Sequence, residues 1–173
     1  MARLEMLIGS LTASYTDTQY TTNTATPRVG DWFYDPATNA KYIFLKNTGS
    51  ASIAAKDVAT STTTQRATFV CQQAAGSTNN QAFAGCRRSG ATSVAQNEYG
   101  WFQISGPATL TADAAGTTAD SGVVTSNATA GAVEAQSSTY AIAMCPATVF
   151  GIARTTTTAG DVAVDIVGNC WGL

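Results

Sequence analysis

Apolar residues in this chain come in short runs set off by Gly, Pro, Asn and Asp, and within many runs apolar and polar positions alternate. That every-other-residue rhythm belongs to a half-buried strand, since a helix needs spacings of three and four. The clearest hairpin runs from Trp32-Phe33-Tyr34 through Asp35-Pro36-Ala37-Thr38-Asn39 to Lys41-Tyr42-Ile43-Phe44-Leu45-Lys46. Asp at the first turn position accepts from turn backbone, Pro presets its φ, and Asn tolerates a left-handed exit. Further strands are expected at 68–71, 108–110, 122–124, 132–134, 140–145, 149–154 and 161–167. In the last of these Val162, Val164 and Ile166 share one face. Residues 47–65 read as a loop with a short strand. Residues 128–136 have the propensity of a short helix, weakened by Gly131.

The densest segment is Glu98-Tyr99-Gly100-Trp101-Phe102-Gln103-Ile104-Ser105-Gly106-Pro107. It reads as a strand ended by Gly106-Pro107, with Tyr99 and Trp101 on one face and Phe102 and Ile104 on the other. Bulk on both faces requires cover on both, in the core or at a subunit seam. Strands at short intervals with turn chemistry between them indicate an all-β chain, a single-domain β-barrel or two-sheet sandwich. Residues 1–29 read as an N-terminal arm and 30–173 as the β-rich core domain. The arm opens with Arg3, Leu4, Met6, Leu7, Ile8 and Leu11, an apolar stretch suited to docking on this core or on a neighbour.

Composition changes the picture in one respect. Only 12% of the 173 residues are charged, about half the usual quarter, and 15 are Gly. A free monomer so poor in charge would be sparingly soluble, so much of its surface is expected to meet other protein. The net charge of −2 and the scattered cations, with Arg87-Arg88 their only adjacent pair, disfavour nucleic acid. No run approaches the ~20 apolar residues of a membrane helix, and no leader peptide is visible.

Candidate chemistry is thin. The chain has no His, and its four Cys include no Cys-x-x-Cys pair. Gly85-Cys86-Arg87-Arg88-Ser89-Gly90-Ala91-Thr92 imitates a phosphate-binding loop, but Ala91 stands where the Lys belongs. Its two arginines are expected to face solvent or a neighbouring chain's acids. Asp113, Asp120, Asp161 and Asp165 match no calcium-loop spacing, and no His is available to activate the many Ser and Thr. No catalytic, cofactor-binding or metal-ligating residue is therefore expected, nor enzyme activity. If the final strands form a hairpin centred between Thr157 and Thr158, Cys145 and Cys170 stand opposite one another as a cross-strand thiol pair. Cys71 and Cys86 flank a polar loop and are expected to be buried thiols.

The word Tyr99-Gly100-Trp101-Phe102-Gln103-Ile104-Ser105-Gly106-Pro107-Ala108 resembles one found in small head proteins of tailed bacteriophages. The hairpin from Gly30-Asp31 to Asn47 resembles theirs too, as does Ile53-Ala54-Ala55-Lys56-Asp57-Val58, where Lys56 replaces their usual Gly. Together these cover about residues 28–60 and 98–110. The resemblance implies a capsid decoration (cement) protein: a β-rich structural protein of the virion, often a homotrimer, seated on the outer capsid and assembled in the host cytoplasm. Its partners would be the major capsid protein and itself, with no nucleic acid and no membrane. The arm residues from Arg3 to Leu11 would clasp the capsid or an adjacent protomer. Two other readings stay open. One is a carbohydrate- or receptor-binding tail or fibre domain, using exposed Trp32, Tyr34, Tyr42 or Trp101. The other is a minor head (connector) subunit.

Overall fold

The computed structural model describes residues 10–22, 26–76, 82–136 and 149–168. Arg3, Leu4, Met6, Leu7, Ile8, Cys145, Cys170 and the strand expected at 140–145 lie outside these. The described chain is nearly all β. Its elements are β1 (Ser14–Tyr15), α1 (Asp17–Thr22), β2 (Trp32–Asp35), β3 (Ala40–Asn47), β4 (Val58–Thr60), α2 (Thr63–Ala67), β5 (Val70–Gln73), β6 (Phe83–Cys86) and β7 (Tyr99–Ala112). They continue with β8 (Gly122–Thr125), β9 (Val133–Ala135), β10 (Gly151–Ala153) and β11 (Gly160–Ile166).

The strand pairings form two circuits that share β7. The first runs β7–β3–β5–β4–β6 and back to β7. The second runs β7–β11–β10–β8–β9 and back to β7. Each contains one parallel pairing, β3 with β5 and β7 with β9, and both close on a single residue pair, Cys86 opposite Gln103 and Ala112 opposite Val133. The architecture is thus two small, sandwich-like β units joined by one long strand.

That sharing differs from expectation. Gly106-Pro107 bends the strand without ending it. Gly106 takes φ +88°, and a Cβ there would lie 2.3 Å from the Asn39 carbonyl oxygen. Only Gly permits both the left-handed backbone and the close approach. The Gln103 amide spans the bend, donating to the carbonyls of Ser105 (3.2 Å) and Pro107 (2.8 Å). Residues before the bend pair with β3, and those after it with β11.

Three apolar clusters follow. Ile43, Leu45, Phe102 and Ile104 lie among those filling the first circuit. Leu110, Val123, Val133, Val162, Val164 and Ile166 fill the second, which also reaches Val58 and Phe83. The third sits on the outer face of β3 and β7, where Tyr42, Phe44, Tyr99 and Trp101 are covered by Leu11, Tyr15 and Tyr20 of the arm. Residues 10–22 therefore dock on this chain's own sheet. Both faces of the 99–104 segment are covered, and Tyr99, Trp101, Phe102 and Ile104 are all buried.

Other expectations shift locally. Thr62 caps a helix the sequence reading missed, in a reciprocal capping box with Gln65. Residues 128–136 form a turn and β9, because Gly131 at φ +75° leads the chain back to pair with β8. The β10–β11 hairpin is centred between Thr158 and Ala159, since Ile152 faces Asp165. The register that would set Cys145 against Cys170 is displaced by two residues on one strand. The 155–159 connection is longer than a tight turn and moves that centre.

Candidate functional site

The side chain that organises the first circuit is Arg87, in the loop that mimicked a phosphate site. It is wholly buried, contrary to the expectation of a solvent-facing turn. Its guanidinium donates to the carbonyls of Trp101 (2.6 Å), Thr92 (2.7 Å), Thr12 (3.1 Å) and Ala13 (3.4 Å). It thereby ties the arm to the central strand and to the 88–98 loop. The Thr12 carbonyl also accepts from the Thr92 amide and hydroxyl. Gly100 makes room for this: a Cβ there would meet the Arg87 guanidinium at 2.9 Å. Burial lowers the Arg87 pKa to about 10, which still leaves it charged at neutral pH. Its Nε has no hydrogen-bond partner.

A second set of contacts fastens α1. Tyr20 stacks on Tyr99 at 4.0 Å between ring centres, and Tyr15 meets Phe44 edge-on. Asp17 accepts from the Tyr99 hydroxyl (2.7 Å) and Lys46 (3.1 Å), and these contacts hold its carboxyl below the usual range. Of the six arm residues singled out from sequence, only Leu11 is described, and it packs half-buried against this aromatic layer.

The described part of the arm leaves the outward face of β2 exposed. Among the described residues β2 pairs only with β3, so its other edge is open. Alternation puts Phe33 inward and Trp32 and Tyr34 outward, 61% and 42% exposed. Tyr42 and Trp101, named with them as aromatic binding candidates, are buried. An open strand edge flanked by a large exposed aromatic is a ready surface for another chain.

The acids hold no cluster suited to a metal among the described residues. Asp161 pairs with Lys56 at 2.6 Å, and Arg154 bridges Asp165 and Asp120. Asp113 is buried, caps the backbone of Ala115 and Gly116, and accepts from the Ser126 hydroxyl. Glu134 lies beside it. Burial, with the Asp113 charge adding to it, raises the Glu134 pKa. Cys71 and Cys86 are buried and packed in different clusters; burial pushes the Cys86 thiol up to about 12. Cys86 thus lacks the lowered pKa of a reactive thiol.

No family model matches the chain, and no curated protein matches it. Among solved structures it is similar to the N base of the head fibre protein gp8.5 of bacteriophage phi29. The identity is 12% and the TM-score 0.42, over 74% of this chain and 97% of that one. A likeness at that score is too weak to carry a conclusion about fold or function.

Proposed function

We propose that this protein is a structural component of a tailed-bacteriophage head, a decoration protein bound to the outer capsid surface. There it reinforces contacts between major capsid protein subunits and associates with its own kind, a trimer being favoured, and it transforms no substrate. The observation that carries the reading is the edge of β2, unpaired among the described residues, with Trp32 and Tyr34 turned outward in a chain with few charges to keep partners away. The phage-head words at 28–60 and 98–110 supply the partner. The second of them spells the strand on which the whole chain is hung. A protomer burying roughly 800 Å² per side would bind specifically, and repetition over a lattice adds avidity without stronger single contacts.

The test uses heads stripped of this protein. Wild-type protein should co-sediment with them in many copies per head, and the Trp32→Ala/Tyr34→Ala double variant should bind at least about thirtyfold more weakly, the scale of one lost interface hot spot. Undiminished binding by the variant, or a dozen copies or fewer per head, would overturn the proposal. One observation favours a second reading. Two exposed aromatics at alternate positions on one strand also suit stacking on sugar rings, so binding to glycans with indifference to heads would select that reading instead.

A further inference from the structure

Between the β2–β3 turn, the loop at Arg87–Ser89, β7 and β11 lies a cleft of about 320 Å³. Its polar lining includes Thr38, Tyr42, Arg88, Ser89 and Thr109, and Ala163 forms part of the wall. Arg87 lies beneath, with no exposed surface of its own. Two adjacent cations thus meet one concave site in a chain with nine Lys and Arg in all. Among the described residues no carboxylate approaches either within 4.0 Å, as holds also for Arg28, Lys41 and Arg66 but not for Lys46, Lys56 and Arg154. Buried positive charge without a counter-ion is costly, and the carbonyls around Arg87 answer that charge only in part. The charge of Arg88 is felt at the Tyr42 hydroxyl, where it works against the rise that burial causes in the Tyr42 pKa. The one acid that also acts on Tyr42, Asp35, is already engaged by the Ala37 amide (3.0 Å) and Thr38 hydroxyl (2.8 Å) of its own turn.

We propose that this cleft is a carboxylate-binding subsite that receives an Asp or Glu side chain of a partner protein, with Arg88 as the direct ligand and Arg87 supplying field from below. The hydroxyls of Ser89 and Thr109 complete a donor set around the guanidinium, and a planar Arg fork matches a carboxylate better than any other anion-binding side chain. The choice of a protein carboxylate rests on the decoration reading; the anion site itself does not.

Calorimetric titration of the full chain with a short Asp/Glu peptide should show binding that weakens as salt is added. Arg88→Gln should weaken it about tenfold, the effect of one lost charge-assisted hydrogen bond. Ala163→Phe, which fills the cleft and spares both arginines, should do the same, and Arg28→Gln, at an exposed position elsewhere, should leave it unchanged. Equal binding of the matching Asn/Gln peptide, or no effect of Arg88→Gln, would overturn the proposal. So would acetate or inorganic phosphate binding as tightly as the peptide, which would make the occupant a free small anion. Head co-sedimentation separates the two ideas. If Arg88→Gln loses neither peptide nor heads, the subsite falls and decoration stands. If wild type takes the peptide through Arg88 yet ignores heads, the reverse holds.

Discussion

The two circuits that share β7 are built from different side chains and are held by different means. The first carries Tyr42, Phe44, Tyr99, Trp101 and Phe102, an aromatic layer on two faces that needs an added segment to cover it. The arm supplies that cover, and Arg87 pins it through backbone carbonyls. The second circuit is filled by Leu110, Val123, Val133, Val162, Val164 and Ile166, packed with Val58, Ala74 and Phe83 of the first and, among the described residues, covered by no strap. Its aromatic content is the stacked pair Phe83 and Phe150, 4.1 Å apart, and its polar interior is the Asp113–Glu134 pair. Bulk on both faces of one strand demands a third layer, while aliphatic strands of modest size can satisfy themselves in pairs.

The largest effect should come from breaking the strap. Arg87→Met keeps the volume but removes every donor to Trp101, Thr92, Thr12 and Ala13. Two considerations compete. Removing a buried charge recovers its desolvation cost, but the carbonyls left behind lose their partners, at about 1–3 kcal/mol for each group left unsatisfied. Thr12 keeps the Thr92 donors, so the Trp101 and Thr92 carbonyls dominate, and a net loss of about 3 kcal/mol is expected. Denaturant unfolding measures the size. Hydrogen exchange gives the location: amides of β1 and α1 should open first, with β8, β10 and β11 unchanged. Equal acceleration in both circuits would show that β7 makes them one cooperative unit and that the contrast is only compositional.

How much of this was legible varies with the same contrast. The first circuit announced itself, because the Asp35-Pro36 turn, the Asn39 exit at φ 54° and the Tyr99–Ile104 aromatics are strong local signals. What the sequence hid there was the identity of the cover. Arg87 reads as a surface residue, and nothing local says that four carbonyls, two of them about 75 positions earlier in the chain, converge on it. A partial signal did exist in Gly100, a residue of low strand propensity inside an aromatic strand, which marks a close approach. In the second circuit the strands at 122–124 and 161–167 were readable by alternation. The continuity of β7 through Gly106-Pro107 was not, since the same residues end most strands and only a tertiary neighbour at Asn39 turns them into a bend. The exposure of Trp32 and Tyr34 likewise depends on which edge of β3 receives β2.

A smaller effect tests the polar interior of the second circuit. Burial and Asp113 raise the Glu134 pKa above its ordinary value, so the folded protein holds this proton more tightly than the unfolded chain does. The contribution of Glu134 to stability is then greatest below about pH 4.5 and declines as pH rises through the elevated folded value. Glu134→Gln should flatten that decline, its stability relative to wild type improving as pH is raised from 4 to 7. Asp57, also raised by burial, should leave a residual slope in both proteins. A parallel pH profile for variant and wild type would mean that Glu134 is ordinary.

The smallest effect concerns one of the contacts that join the two circuits, beside the backbone hydrogen bonds from the Val58 amide to Gly131 (2.8 Å) and from the Gly131 amide to Ala74 (2.9 Å). Lys56 departs from the Gly of the phage-head words, and the structure shows the cost and the return together. Its φ of 70° lies in the left-handed region, where a side chain costs about 1 kcal/mol, while its ammonium reaches Asp161 at the start of β11 at 2.6 Å. Both partners are partly exposed, so the pair contributes only about 0.2–1 kcal/mol. Lys56→Gly relieves the backbone, loses the pair and frees the unfolded chain, three terms of similar size that should cancel to within about 1 kcal/mol. Asp161→Asn should remove the pair alone, and the double-variant cycle isolates their coupling. A coupling below 1 kcal/mol that fades with added salt would leave β7, the Gly131 backbone bonds and the shared apolar cluster as the links between the circuits. A coupling of 2 kcal/mol or more would make Lys56 a second hinge pin, and the two units would have to be read as clamped from both sides.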